Sequence, residues 1–66
     1  MSHYRISFAK EILGVPFPVG AVEIGRARSA DRARRAGELR FARQRGLGDW
    51  RERADRADVE ATDARP

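Results

Sequence analysis

Cysteine is absent from this 66-residue chain, and histidine occurs once, as His3. Without thiolates there is no disulfide staple and no thiolate metal site, and a lone histidine cannot assemble the ligand sets that zinc requires. No metal or cofactor is therefore expected. Aromatic residues are scarce, with one Trp, one Tyr and three Phe, so few large side chains can fill a core. No apolar run approaches the ~20 residues needed to span a bilayer. The N-terminus lacks the charged, apolar and cleavage regions of a secretory leader, so a cytoplasmic setting without membrane contact is expected. Small size adds another limit: a domain of about 60 residues buries only about 60% of its unfolded surface, which leaves little room for a deep substrate cavity.

What the chain has in excess is arginine, thirteen against one lysine, with a net charge of +4 and a pI near 11.0. The charge is unevenly placed. Residues 1–25 carry Arg5, Lys10, Glu11 and Glu23 and sum to zero, whereas residues 26–45 carry eight Arg against Asp31 and Glu38, net +6. Residues 49–63 set three Arg against six acids, net −3, and Arg65 restores the total. Apolar content follows its own division, since eleven of the sixteen large apolar residues precede Gly25. A neutral apolar part, a basic part and an acidic part thus follow one another, with no internal repeat.

Tyr4, Ile6 and Phe8 alternate with Arg5 and Ser7, the period of a strand with one buried face. Gly14, Pro16 and Pro18 then punctuate the chain, so Glu11 to Pro18 reads as a connection. It holds Ile12, Leu13, Val15 and Phe17, which suits either a lid over one end of the core or a partner-contact surface. Val19 to Ile24 regains β-branched character, with Val22 and Ile24 on one face and Val19 and Ala21 on the other. The two strands are expected to form an antiparallel hairpin.

Ser29 is a favoured N-cap, Asp31 suits the first turn of a helix, and Gly46 with Gly48 supplies a stop. Ala30, Ala33, Gly37, Phe41 and Gln44 share one stripe, narrow enough to let the helix lie close on a sheet. On the opposite stripe stand Arg32, Arg35, Leu39 and Arg43. Spacing predicts ion pairs between Asp31 and Arg35 and between Arg34 and Glu38.

The last segment reads two ways. Asp49 and Glu52 resemble a capping box, and Trp50, Ala54, Ala57 and Ala61 have helical spacing. Val59 and Ala61 instead suit a short strand, and a lone hairpin is marginal without a third strand. The expected fold is α+β, ββαβ over residues 1–61 with a disordered tail at 62–66; ββαα is the alternative. Trp50 is expected to be buried against Phe41 and the hairpin.

Catalytic patterns are missing. His3 lies in a stretch expected to fray, no serine has a nucleophile-elbow context, and Gly14 to Gly20 lacks the Lys-Ser/Thr end of a phosphate loop. Asp55, Asp58, Glu60 and Asp63 lack the order of a calcium loop. No enzyme is expected. A protein-interaction or homo-oligomerisation module is, with Arg32, Arg35, Leu39, Arg43 and Phe17 as candidate partner contacts. Dimers through the open sheet face or the hairpin edges fit this expectation. The alternative is an accessory nucleic-acid-binding protein using the Arg-rich helix 29–45, unless the acidic segment folds over that helix and masks it. A helix-turn-helix is disfavoured because its second helix would be acidic, and a ribbon-helix-helix because Val19 to Ile24 offers only one charged side chain, Glu23.

Overall fold

The structure, a computed structural model, describes residues 2–62. Two strands, β1 (Ser2–Ile12) and β2 (Val15–Ala27), are followed by a helix, α1 (Ala30–Gln44), a 3-10 turn (Trp50–Glu52) and a third strand, β3 (Arg56–Ala61). β1 is central in the sheet order β2-β1-β3 and pairs antiparallel with both neighbours. This is the ββαβ arrangement, with α1 covering one face of the sheet. The helical alternative for the final segment is not formed: Tyr4 to Ala9 of β1 offers an unpaired edge, and β3 satisfies it over its whole length. Thr62 donates its N–H to His3 O at 2.9 Å; the remainder of the expected tail lies outside the described residues. His3 itself is a strand residue rather than part of a frayed end.

The segment read as a connection is instead the outer half of a long hairpin. β1 continues to Ile12 and β2 starts at Val15, so only Leu13 and Gly14 turn the chain. Both have positive φ, 54° and 79°, which matches the twist of two-residue hairpin turns. The prolines are tolerated because β2 is an edge strand. Ile12 and Val15 flank the turn as a bonded pair, and alternation along the register makes Lys10 and Phe17 the next such pair. Pro16 and Pro18 therefore turn their nitrogens away from β1, where no ladder N–H is needed.

Two β-bulges shape β2. Val19 is the extra residue where Phe8 pairs with Gly20 but Ala9 pairs with Pro18, and a second shift lies between Ser2 and Tyr4. Each adds twist and resets side-chain parity. The first explains why Val19 packs against the core instead of joining Ala21 on the open face. The second accompanies Arg26 at φ 65°.

Ile6, Phe8, Val22, Ile24, Ala33, Phe41, Ala54 and Ala57 form the core between sheet and helix. The Phe8 and Phe41 rings stack with centroids 4.1 Å apart. Trp50 packs on the hairpin as expected, its ring 5.7 Å from that of Phe8, but it is half-buried rather than buried. The helix stripe narrows to Ala33, Gly37 and Phe41, joined by Ala42, while Ala30 and Gln44 at its ends are exposed. Gly37 permits a close approach, since a Cβ there would lie 2.9 Å from Ile6 Cγ1.

Both helix ends follow the sequence signals. The Ser29 side chain accepts from Arg32 N, and the C-terminus closes with Gly46 N donating to Arg43 O and Leu47 N to Ala42 O. That pair of bonds is the Schellman arrangement, and Leu47 contributes the apolar contact that accompanies it. Asp49 and Glu52 make the capping box, on a 3-10 turn rather than a longer helix.

Candidate functional site

Three surfaces follow from this fold, and the sequence candidates are divided between two of them. Arg32, Arg35, Leu39 and Arg43 lie on the outward face of α1, all exposed, with Leu39 at 64%. Phe17 stands apart on the hairpin. The third surface is the open face of the sheet.

The hairpin reaches beyond the rest of the sheet. β3 accompanies β1 only as far as Ala9, so Lys10 to Phe17 forms a two-stranded arm. This is not a lid. Register places Lys10, Ile12, Val15 and Phe17 on the face that continues from Ile6 and Phe8, but α1 ends near the base of the arm, where Arg45 Nη2 donates to Val19 O at 3.0 Å. Ile12 and Val15 are therefore half exposed and Phe17 is 48% exposed. Leu13, at the tip, is 99% exposed. A leucine at positive φ costs roughly 1–2 kcal/mol relative to its preferred backbone, and one in solvent recovers none of it through burial. Asn or Gly would serve the turn better. Leu13 therefore contributes nothing evident to this chain's own fold.

Both edges of the arm are closed. On the β1 side, Glu11 N donates to Asp55 Oδ2 at 2.7 Å, which occupies the amide left free where β3 stops. On the β2 side, Pro16 and Pro18 have no N–H to offer. Farther along β2, edge carbonyls are taken by helix arginines: Arg45 binds Val19 O, and Arg40 Nη1 donates to Glu23 O at 2.9 Å. The Arg45 guanidinium also lies 4.8 Å from the centre of the Phe41 ring. Arg40 and Arg45 both belong to the Arg-rich segment 29–45 that the sequence offers to phosphate. No periodicity could reveal that they brace α1 on β2, because the acceptors are backbone carbonyls of a distant strand.

The basic face of α1 keeps its charge. The expected Arg34–Glu38 pair forms at 3.6 Å, but Asp31 and Arg35 do not pair. Among the described residues, Arg26, Arg28, Arg32, Arg35 and Arg43 have no carboxylate partner. Among the described residues of the acidic segment none pairs with them: Asp49 pairs with Arg51, and Glu52 closes the capping box. Alternation in β3 sends Asp58 and Glu60 to the face of the sheet opposite α1, and Asp55 is bonded to the arm; Asp63 lies outside the described residues. Beside Leu39 an open groove runs between α1 and the 3-10 turn, lined by Arg35, Ala42 and Trp50.

The open sheet face is polar, and of Val19 and Ala21, which the sequence placed together opposite Val22 and Ile24, Val19 packs against the core instead. Arg5 pairs with Glu23 at 3.0 Å, and Arg56 reaches both Asp58 at 3.1 Å and Glu11 at 3.4 Å. The Asp58 hydrogen bond, with Glu11 assisting, raises the affinity of Arg56 for its proton. Such exposed pairs add little stability, but they make face-to-face sheet association unfavourable.

No charged or polar side chain is buried among the described residues, and no three potential metal ligands gather there. No described helix is long and apolar enough to cross a membrane. Compared with protein-family models, curated proteins and solved structures, the chain matches none of them.

Proposed function

We propose that this protein is a non-catalytic interaction module whose contact surface is the apolar face and tip of the hairpin arm. Ile12, Leu13, Val15 and Phe17 form the surface, and the proposed setting is the cytoplasm. One observation carries the reading: Leu13 occupies a strained position in full solvent, where a polar turn residue would be more stable. A backbone outlier in a surface loop, carrying a large apolar side chain that the fold does not use, supports a contact role. A photo-crosslinking residue in place of Leu13, compared with one at Ala21 on the polar face, tests this in cells. Crosslinks to a polypeptide from position 13 but not 21 are expected; equal yields from both would remove the arm as a site.

A second reading rests on the unpaired cations of α1. Arg32, Arg35 and Arg43 present guanidinium forks that suit phosphate, so the Arg-rich helix also supports nucleic-acid binding. Titrating a short RNA at low salt while following amide chemical shifts separates the two. Shifts on residues 26–45 that disappear on Arg32→Glu with Arg43→Glu favour this reading; a salt-steep affinity retained by that variant removes the helix from consideration.

A further inference from the structure

We infer that the occupant of the arm is a second copy of this chain, packed face to face through the two arms and not edge to edge. The inference rests on the reading of the arm as a contact surface and specifies its partner and geometry. Edge pairing is closed off by the groups already described: Asp55 on the Glu11 amide, and Pro16 and Pro18 on the other strand. The remaining sheet edge, that of β3, is short and carries Arg56, Asp58 and Glu60, a charge pattern that discourages strand addition. What is left open on the arm is one face, apolar except for Lys10, a piece of two-stranded sheet without a covering layer.

A second arm matches that face in chemistry and in charge. Residues 1–25, which include the arm, carry no net charge, so two arms meet less repulsion than two +6 helices would; Lys10, which shares the face with its register partner Phe17, reaches solvent through its long side chain. A partner chosen by charge would be drawn to α1 instead. The contact is self-complementary: a two-fold axis sets Phe17 of each copy against Ile12 and Val15 of the other, at the ~10 Å spacing of packed sheets. Area agrees. From their exposures, the four arm residues present on the order of 500 Å² per copy, within the ~300–600 Å² of the largest apolar patch on a typical monomer, which is often functional. Two such patches give at most about 1,000 Å², the low end for a specific interface, so weak dimerisation, populated towards millimolar concentration, is expected.

Sedimentation velocity of the full chain, from micromolar to millimolar concentration, tests the inference. Wild type is expected to pass from monomer to dimer; Leu13→Asn with Phe17→Ser should weaken dimerisation at least tenfold while keeping a cooperative melt. Arg32→Glu with Arg43→Glu should dimerise as wild type does. A wild type that stays monomeric throughout overturns the second copy as occupant, while the crosslinking result at position 13 still decides whether the arm is a contact surface at all. A dimer unaffected by the two arm substitutions overturns the arm-to-arm geometry.

Discussion

Replacing Gly37 by alanine sets two effects of known size against each other. Alanine is better than glycine inside a helix by about 1 kcal/mol, so propensity alone predicts a more stable protein. The new methyl, however, would lie 2.9 Å from Ile6 Cγ1, 3.0 Å from Cβ and 3.1 Å from Cδ1. Carbon atoms prefer about 3.5–4.0 Å, and two of these three lie close to the backbone of a fully buried residue, where no rotation clears them. Relief requires α1 to lift from the sheet, which loosens Ala33 and Phe41 on the same stripe. Overpacking of this kind costs about 1–3 kcal/mol, so Gly37→Ala should destabilise by a net of about 1 kcal/mol or more. For a chain of this length each kcal/mol lowers Tm by about 4–8 °C. Thermal and urea unfolding followed by circular dichroism measure it, with Ala36→Gly on the exposed face as the propensity control. Ile6→Val removes only the Cδ1 contact and should leave most of the penalty in place. A Gly37→Ala variant as stable as wild type, or more so, would refute the close-packing argument.

Phe41→Ala removes the ring stacked on Phe8 and should cost about 3–5 kcal/mol, enough to abolish the cooperative melt; a sharp transition near the wild-type Tm would contradict the packing described. Leu13→Asn should raise Tm by several degrees in dilute solution, because it relieves the left-handed leucine and loses no burial; a lowered Tm there would show that Leu13 supports the fold. The side-chain hydrogen bond from Arg51, with its backbone N–H, holds the Asp49 carboxyl below its ordinary value of 3.8. Its stabilising contribution is thus complete above that pH and fades as pH falls through the lowered value. Asp49→Asn should flatten that acid limb, and an unchanged pH profile would show that the cap contributes nothing.

Local signals in the sequence were sufficient to place the inner parts of β1 and β2 and the whole of α1 in order; the final segment read two ways, and pairing with the open edge of β1 made it a strand. Ser29 and Gly46 delimit α1, Asp49 and Glu52 mark a cap, and the alternation of Tyr4, Ile6 and Phe8 defines the face of β1 that lies under α1. These are short-range effects, set by hydrogen bonds and side-chain periods within a few residues. Of the candidate contacts, Arg32, Arg35, Leu39 and Arg43 were legible as one exposed face because helical spacing alone groups them. Tertiary structure decided the rest. Whether Pro16 and Pro18 end a strand depends on β2 being an edge, which pairing across the sheet determines and spacing does not. Val19 changes faces through a bulge that no pattern marks. Arg40 and Arg45 become braces only because α1 lies across β2. Leu13 emerges as the residue of greatest interest only once its backbone angle and its full exposure are seen together, since both depend on where the arm projects beyond the cover of α1 and β3.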